Sequence, residues 1–171
     1  MSHSILIVDD DPISRDLLTE VFSREKYDLF SAASAEEALG ILAGHQVDVV
    51  VSDEKMPGMT GSKFLAHVRQ EYPDTVRIIL TGHANLESAI RAINEGEIFR
   101  FFTKPCNIVD LAATVRHAIR LKTLAEENDR LLKLAKRQFA ILDKIETQYP
   151  GITNVRKNAR GEIVFEDKEA A

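Results

Sequence analysis

Ile5-Leu6-Ile7-Val8-Asp9-Asp10-Asp11-Pro12 carries four apolar residues, three of them β-branched, straight into three carboxylates. A short apolar run without polar alternation reads as a strand buried on both faces, as in a parallel sheet. Comparable runs recur at 47–51, broken only by Asp48, and at 76–80, broken only by Arg77. Weaker runs at 27–33 and 98–103 bring the expected strands to five. Between them apolar residues step at helical spacing: Ile13, Leu17, Leu18 and Phe22; Ala38, Leu39 and Leu42; Phe64, Leu65 and Val68; Leu86, Ala89, Ile90 and Ile93. Ser34 with Glu37 reads as a capping box that opens the second helix. Strand alternating with helix predicts an α/β fold, a parallel sheet with helices on both faces.

The chain has 171 residues, 44% hydrophobic and 29% charged, the balance of an ordinary globular protein. Its net charge of -5 opposes nucleic acid as a direct partner, because binding a phosphate backbone needs clustered cations. Apolar runs stop far short of the roughly 20 residues that span a bilayer, so no membrane segment is expected. The N-terminus lacks the regions of a signal peptide, and the expected compartment is the cytoplasm. A single cysteine, Cys106, excludes an internal disulfide and a multi-cysteine metal site. His3, His45, His67 and His117 show no ligand spacing and read as structural or exposed.

Character changes near residue 120. Residues 1–120 carry 12 Lys/Arg and 18 Asp/Glu, whereas residues 121–171 carry 10 and 9. No Gly or Pro interrupts the chain from Ile108 to Pro150-Gly151, which predicts an extended C-terminal helix about 60 Å long. Within it Leu121, Leu124, Asn128, Leu131, Ala135, Gln138, Leu142, Ile145 and Tyr149 step by alternating three and four, as in a coiled coil. Asn128 at an a-type position favours a parallel homodimer through 121–149, whereas Gln138 at a d-type position weakens the seam. The competing reading is a solvated amphipathic helix folded back on its own domain. The expected divisions are a domain over 1–120, a coiled-coil helix over 121–149 and a short tail over 150–171. In that tail, runs at 152–155 and 162–165 flank turn chemistry and suggest a β-hairpin; residues 167–171 read as disordered.

Sites in doubly wound sheets form beyond the carboxyl ends of the strands. Those ends carry Asp9-Asp10-Asp11, Ser52-Asp53, Thr81-Gly82 and Thr103-Lys104-Pro105. Acidic groups, a hydroxyl and an ammonium thus converge on one edge. Crowded carboxylates repel one another unless a cation intervenes, and an all-oxygen set suits Mg²⁺ or a similar hard ion. Asp11, directly before Pro12, also reads as a simple helix cap.

Four segments carry a resemblance: 5–12, Ser-Asp-Glu-Lys-Met-Pro-Gly-Met-Thr-Gly at 52–61, Leu-Thr-Gly at 80–82 and Phe-Phe-Thr-Lys-Pro at 101–105. In order and spacing they resemble the receiver domain of two-component response regulators, over residues 4 to about 120. The resemblance implies a flavodoxin-like sheet in the order 2-1-3-4-5 with five helices. It implies that Asp53 accepts a phosphoryl group from a sensor histidine kinase or phosphotransfer protein. Asp9, Asp10, Asp53 and the carbonyl of Lys55 would hold Mg²⁺. Lys104 would pair with the phosphoryl group, and Pro105 would follow a cis bond. Thr81 and Phe101 would act as the coupled switch pair, and Gly82 would leave room for the donor. The stretch 93–102 is similar to receivers joined to HD-GYP phosphodiesterases. Gly96 lies eight residues before Lys104, where many receivers have seven. Lys55 and His83, each two residues beyond a site residue, line the phosphate entrance in that family.

The expected output is contact with a downstream protein, not catalysis by the chain itself. A Mg²⁺-dependent phosphatase of the haloacid-dehalogenase type needs a second acid two residues after the nucleophile, and Lys55 stands there. A DNA-binding regulator is opposed by the near-neutral charge of 121–171. A phosphate sink without output would leave the long helix without a purpose.

Overall fold

The computed structural model describes residues 3–82 and 98–151. Its elements run β1 (His3–Val8), α1 (Pro12–Ser23), β2 (Tyr27–Ala32), α2 (Ala35–Gly44), β3 (Val49–Asp53), α3 (Gly61–Glu71), β4 (Val76–Thr81), β5 (Arg100–Thr103) and α4 (Ile108–Gln148). The five strands form one sheet in the order β2-β1-β3-β4-β5, and every neighbouring pair is parallel. This is the flavodoxin-like doubly wound fold with a long C-terminal helix.

Successive side chains of a strand point to opposite faces, so each apolar strand feeds two core layers. Leu6, Val8, Val50 and Ile79 pack with Ala38, Leu42, Phe64 and Val68 beneath α2 and α3. Ile5, Ile7, Val49, Val51 and Ile78 pack with Leu18 and Phe22 of α1 and with Leu111, Val115 and Ile119 of α4. Burial on both faces is why these strands needed no polar alternation.

Element bounds differ from the apolar runs in instructive ways. The third strand is shifted two residues onward, because Ser52 and Asp53 pair with Ile79 and Leu80 of β4. A ladder is built from backbone groups and does not require apolar side chains. The fifth strand begins at Arg100, opposite Ile78, and not at Ile98. Ser34 caps α2 through Glu37 N–H at 3.2 Å, but the Glu37 carboxylate reaches back to Ala33 N–H at 2.7 Å, one residue earlier than a standard box. The fourth helical window, Gly96, His83 and the expected hairpin all lie outside the described residues.

Close contacts divide the chain into two units, Met1–Thr123 and Leu124–Ala171. Within the first, Lys122 meets Asp48 at 2.7 Å and the Thr123 hydroxyl lies 3.5 Å from His3 Nε2. These contacts carry the first unit's margin to Thr123. In the second unit α4 continues to Gln148, and Gly151 at φ +90° follows Pro150 where the helix has stopped. Among the described residues no helix is long and apolar enough to cross a membrane.

Candidate functional site

The ends of β1, β3, β4 and β5 deliver polar groups to the same edge. Asp9 follows β1 and is buried, Asp10 is exposed beside it, and Asp53 is the last residue of β3 and is buried. Carboxylate oxygens of the three lie within 4.8 Å of one another. Lys104, just beyond β5, places Nζ 2.8 Å from Asp9 Oδ2 and 2.8 Å from Asp53 Oδ1. One ammonium therefore bridges two of the three acids. If all three acids are ionised, two negative charges stay uncompensated. That deficit, set by oxygen donors alone, fits a hard divalent cation such as Mg²⁺.

Burial is the main reason the Asp53 carboxyl sits above its ordinary value, and the charge of Asp9 adds to it. The Lys104 ammonium and the backbone N–H of Lys55 pull the other way. Burial alone would lower Lys104, but its bonds to Asp53 and Asp9 outweigh that and leave it raised. The lysine is held firmly charged.

The remaining expected residues fall into place unequally. Thr81 ends β4, buried, with its hydroxyl donating to the Gly82 carbonyl at 3.1 Å. Among the described residues, a side chain at Gly82 would meet nothing within 4 Å. Lys55 is exposed next to Asp53. Phe101 pairs with Ile79 in register and packs half-buried on the core layer under α2 and α3. The Lys104-Pro105 bond is cis. Asp11 turns out to be a helix cap: its carboxylate accepts from Ile13 and Ser14 N–H, both at 3.2 Å, and from the Ser14 hydroxyl at 2.9 Å. The Ser14 hydroxyl is the chief cause holding that carboxyl below its usual range.

Three supporting residues carry roles that the sequence reading did not assign. Arg15 donates to the carbonyls of Asp9 at 2.6 Å and Asp10 at 3.2 Å, bracing the acidic turn from outside. Glu54, buried beside Asp53, accepts from Ser62 N–H at 2.7 Å and from its hydroxyl at 3.0 Å, which ties the loop after β3 to the first turn of α3. Gly61 packs so closely that a Cβ there would overlap the backbone carbonyl of Asp53. Glu54 and Gly61 both lie in the 52–61 motif, so a signal existed for them. Arg15 left none, since its partners are backbone atoms.

A doubly wound sheet with clustered acids and a bridging lysine beyond its strand ends defines a receiver-type phosphoacceptor fold. Response regulator receiver domains match the chain over residues 5–116, and the chain belongs to that family. It is similar to the hydrogenase transcriptional regulatory protein HoxA of Cupriavidus necator, 35% identical over 75% of this chain and 26% of that protein. It is also similar to the response regulator PilR of Pseudomonas aeruginosa, 35% identical over 68% of this chain and 26% of PilR. The chain thus spans about a quarter of the length of these relatives. Among solved structures, the receiver domain of an HD domain-containing protein from Pseudomonas fluorescens superposes with TM-score 0.68 at 37% identity, covering 72% of this chain and 98% of that one. A receiver domain from Clostridium thermocellum gives TM-score 0.68 at 32% identity, over 72% and 98%. Receiver domains of this family are signalling modules of two-component systems.

Proposed function

We propose that this chain is a phosphorylation-controlled switch whose phosphoacceptor is Asp53. The observation that carries this reading is Lys104 Nζ at 2.8 Å from Asp53 within a cluster of three carboxylates. An Asp53 oxygen attacks the phosphorus of a phosphohistidine on a sensor kinase or phosphotransfer protein. The O–P bond forms as the P–N bond breaks, and the imidazole leaves with the electron pair. Asp9, Asp10 and Asp53, with the Lys55 carbonyl, would hold Mg²⁺, which when bound offsets charge on the phosphoryl oxygens. Lys104 passes from the carboxylate to the new phosphoryl oxygens, and Thr81 donates its hydroxyl to one of them. Residues 121–149 pair in parallel with the same helix of a second copy, and a downstream protein reads the assembly. Nothing in this route calls for DNA or a membrane, and it suits the cytoplasm.

Acetyl phosphate with Mg²⁺ should phosphorylate the full chain at one site. Asp53→Asn should abolish the label, read as the added mass of one phosphoryl group. Full labelling of that variant would move the acceptor elsewhere.

A further inference from the structure

With the heptad positions set by the seam from Leu121 to Tyr149, residues 131–145 separate cleanly by chemistry. Every charged residue of this stretch, Lys133, Lys136, Arg137, Asp143 and Lys144, falls at b, c or f, the outward positions. The a, d, e and g positions hold only apolar residues and Gln138. The heptads on either side differ, with Glu127 at g before and Glu146 at e after. Apolar residues at e and g are unusual for a two-stranded coil, whose flanks are ordinarily charged. Here the e positions are Leu132 and Phe139, 52% and 71% exposed, and the g positions are Leu134 and Ile141, 47% and 57% exposed. At 100° per residue the apolar arc from Ile141 round to Leu132 covers about 180°, well beyond the narrow a/d seam that one partner helix buries. In the middle of that seam, Ala135 and Gln138 leave a pair of helices little to grip.

From this we infer that residues 131–145 form a four-helix core, in which two pairs of this chain associate through their e and g residues. A helix in a four-stranded bundle touches a neighbour on each flank, so a, d, e and g are buried together. The sorting of charge commits the occupant to further copies of the same helix. Each copy supplies the same wide apolar arc, and no charged residue of 131–145 would enter the shared core. The inference rests on the helix pairing proposed above and extends it from two chains to four.

Sedimentation equilibrium of the full 19.2 kDa chain measures this directly. The expected mass is fourfold the monomer at tens of micromolar. Leu134→Glu/Ile141→Glu changes only g positions and should halve the mass, leaving a dimer held by the unaltered seam. Leu132→Glu/Phe139→Glu, on the other flank, should do the same. Retained labelling by acetyl phosphate checks that both variants keep a folded first unit. A parent chain that is dimeric throughout overturns the four-helix core while leaving the pair intact. A monomeric parent overturns both, and a tetramer that survives both pairs of substitutions rules out the e and g contact.

Discussion

Asp53 is useful because its surroundings are in conflict. Its carboxyl is buried and faces Asp9, both of which disfavour its charge, while Lys104 at 2.8 Å favours it. A carboxylate so placed is reactive only if its neighbours hold still, and here the backbone does much of the holding. Gly61, the first residue of α3, donates its N–H to the Glu54 carbonyl at 3.0 Å and lies against the Asp53 carbonyl. The obstruction is backbone, which cannot rotate away as a side-chain tip could. Gly61→Ala should therefore cost at least about 2 kcal/mol by overpacking. It should also slow labelling of Asp53 by acetyl phosphate. Urea unfolding and a labelling time course check the two effects; an unchanged midpoint would mean that the loop after β3 yields freely.

Among the elements, α4 is fastened to the sheet at two levels. Leu111, Val115 and Ile119 pack on the core layer shared with α1, and one turn later Lys122 reaches Asp48, which precedes β3. Both side chains of that pair are largely buried, at 9% and 14% exposure. Burial by itself would raise the Asp48 carboxyl. The Lys122 hydrogen bond and charge, with the Ser4 N–H and His3, outweigh burial and hold it below its ordinary 3.8. A carboxyl depressed by folding stabilises in full above its unfolded value, and that contribution fades as pH falls through the folded one. Lys122→Met should thus cost about 2 kcal/mol at neutral pH, somewhat under the loss for a fully buried pair. The deficit relative to the parent should shrink as pH drops below 3.8. Urea midpoints across that range test it; a deficit independent of pH would point to lost packing instead. A second tie joins Arg116 to Glu25 at 2.7 Å, and Glu25 also accepts from the Tyr27 hydroxyl at 2.6 Å. Burial first, and then Glu25, push that hydroxyl up to about 12.

For the molecule as a whole, the switch must carry a local charge change across the sheet. Thr81 and Thr103 are partners in the β4–β5 ladder, and Lys104 N–H donates to the Thr81 carbonyl at 2.8 Å. Phe101 lies two residues earlier on β5. A phosphoryl group on Asp53 adds acceptor oxygens that Thr81 and Lys104 can bond, which biases a two-state element already present. Phosphorylation should therefore shift the NMR signals of Thr81 and Phe101 together, and Thr81→Ala should uncouple Phe101. Shifts confined to residues touching Asp53 would contradict the coupling.

Apolar runs and helical spacing along the chain were enough for the number and parallel direction of the strands, because strands that alternate with helices return in the same direction; their order in the sheet came only from the family resemblance. The same runs were enough, too, for the convergence of Asp9, Asp10, Asp53 and Lys104, since a doubly wound sheet sends all its strand ends to one edge. Periodicity also made the uninterrupted helix to Gln148 legible, because nothing from Ile108 onward could stop it. Only the tertiary structure decided that β3 extends to Asp53, that Asp11 caps α1 while Asp9 faces Lys104, and that Arg15, Glu54 and Gly61 support the site. Apart from the Asp9–Lys104 ion pair, each of these depends on a backbone atom brought close from a distant or sharply turned segment. Backbone atoms are the same at every residue, so the sequence marks where they meet only indirectly, through a glycine such as Gly61 or a capping side chain such as Asp11.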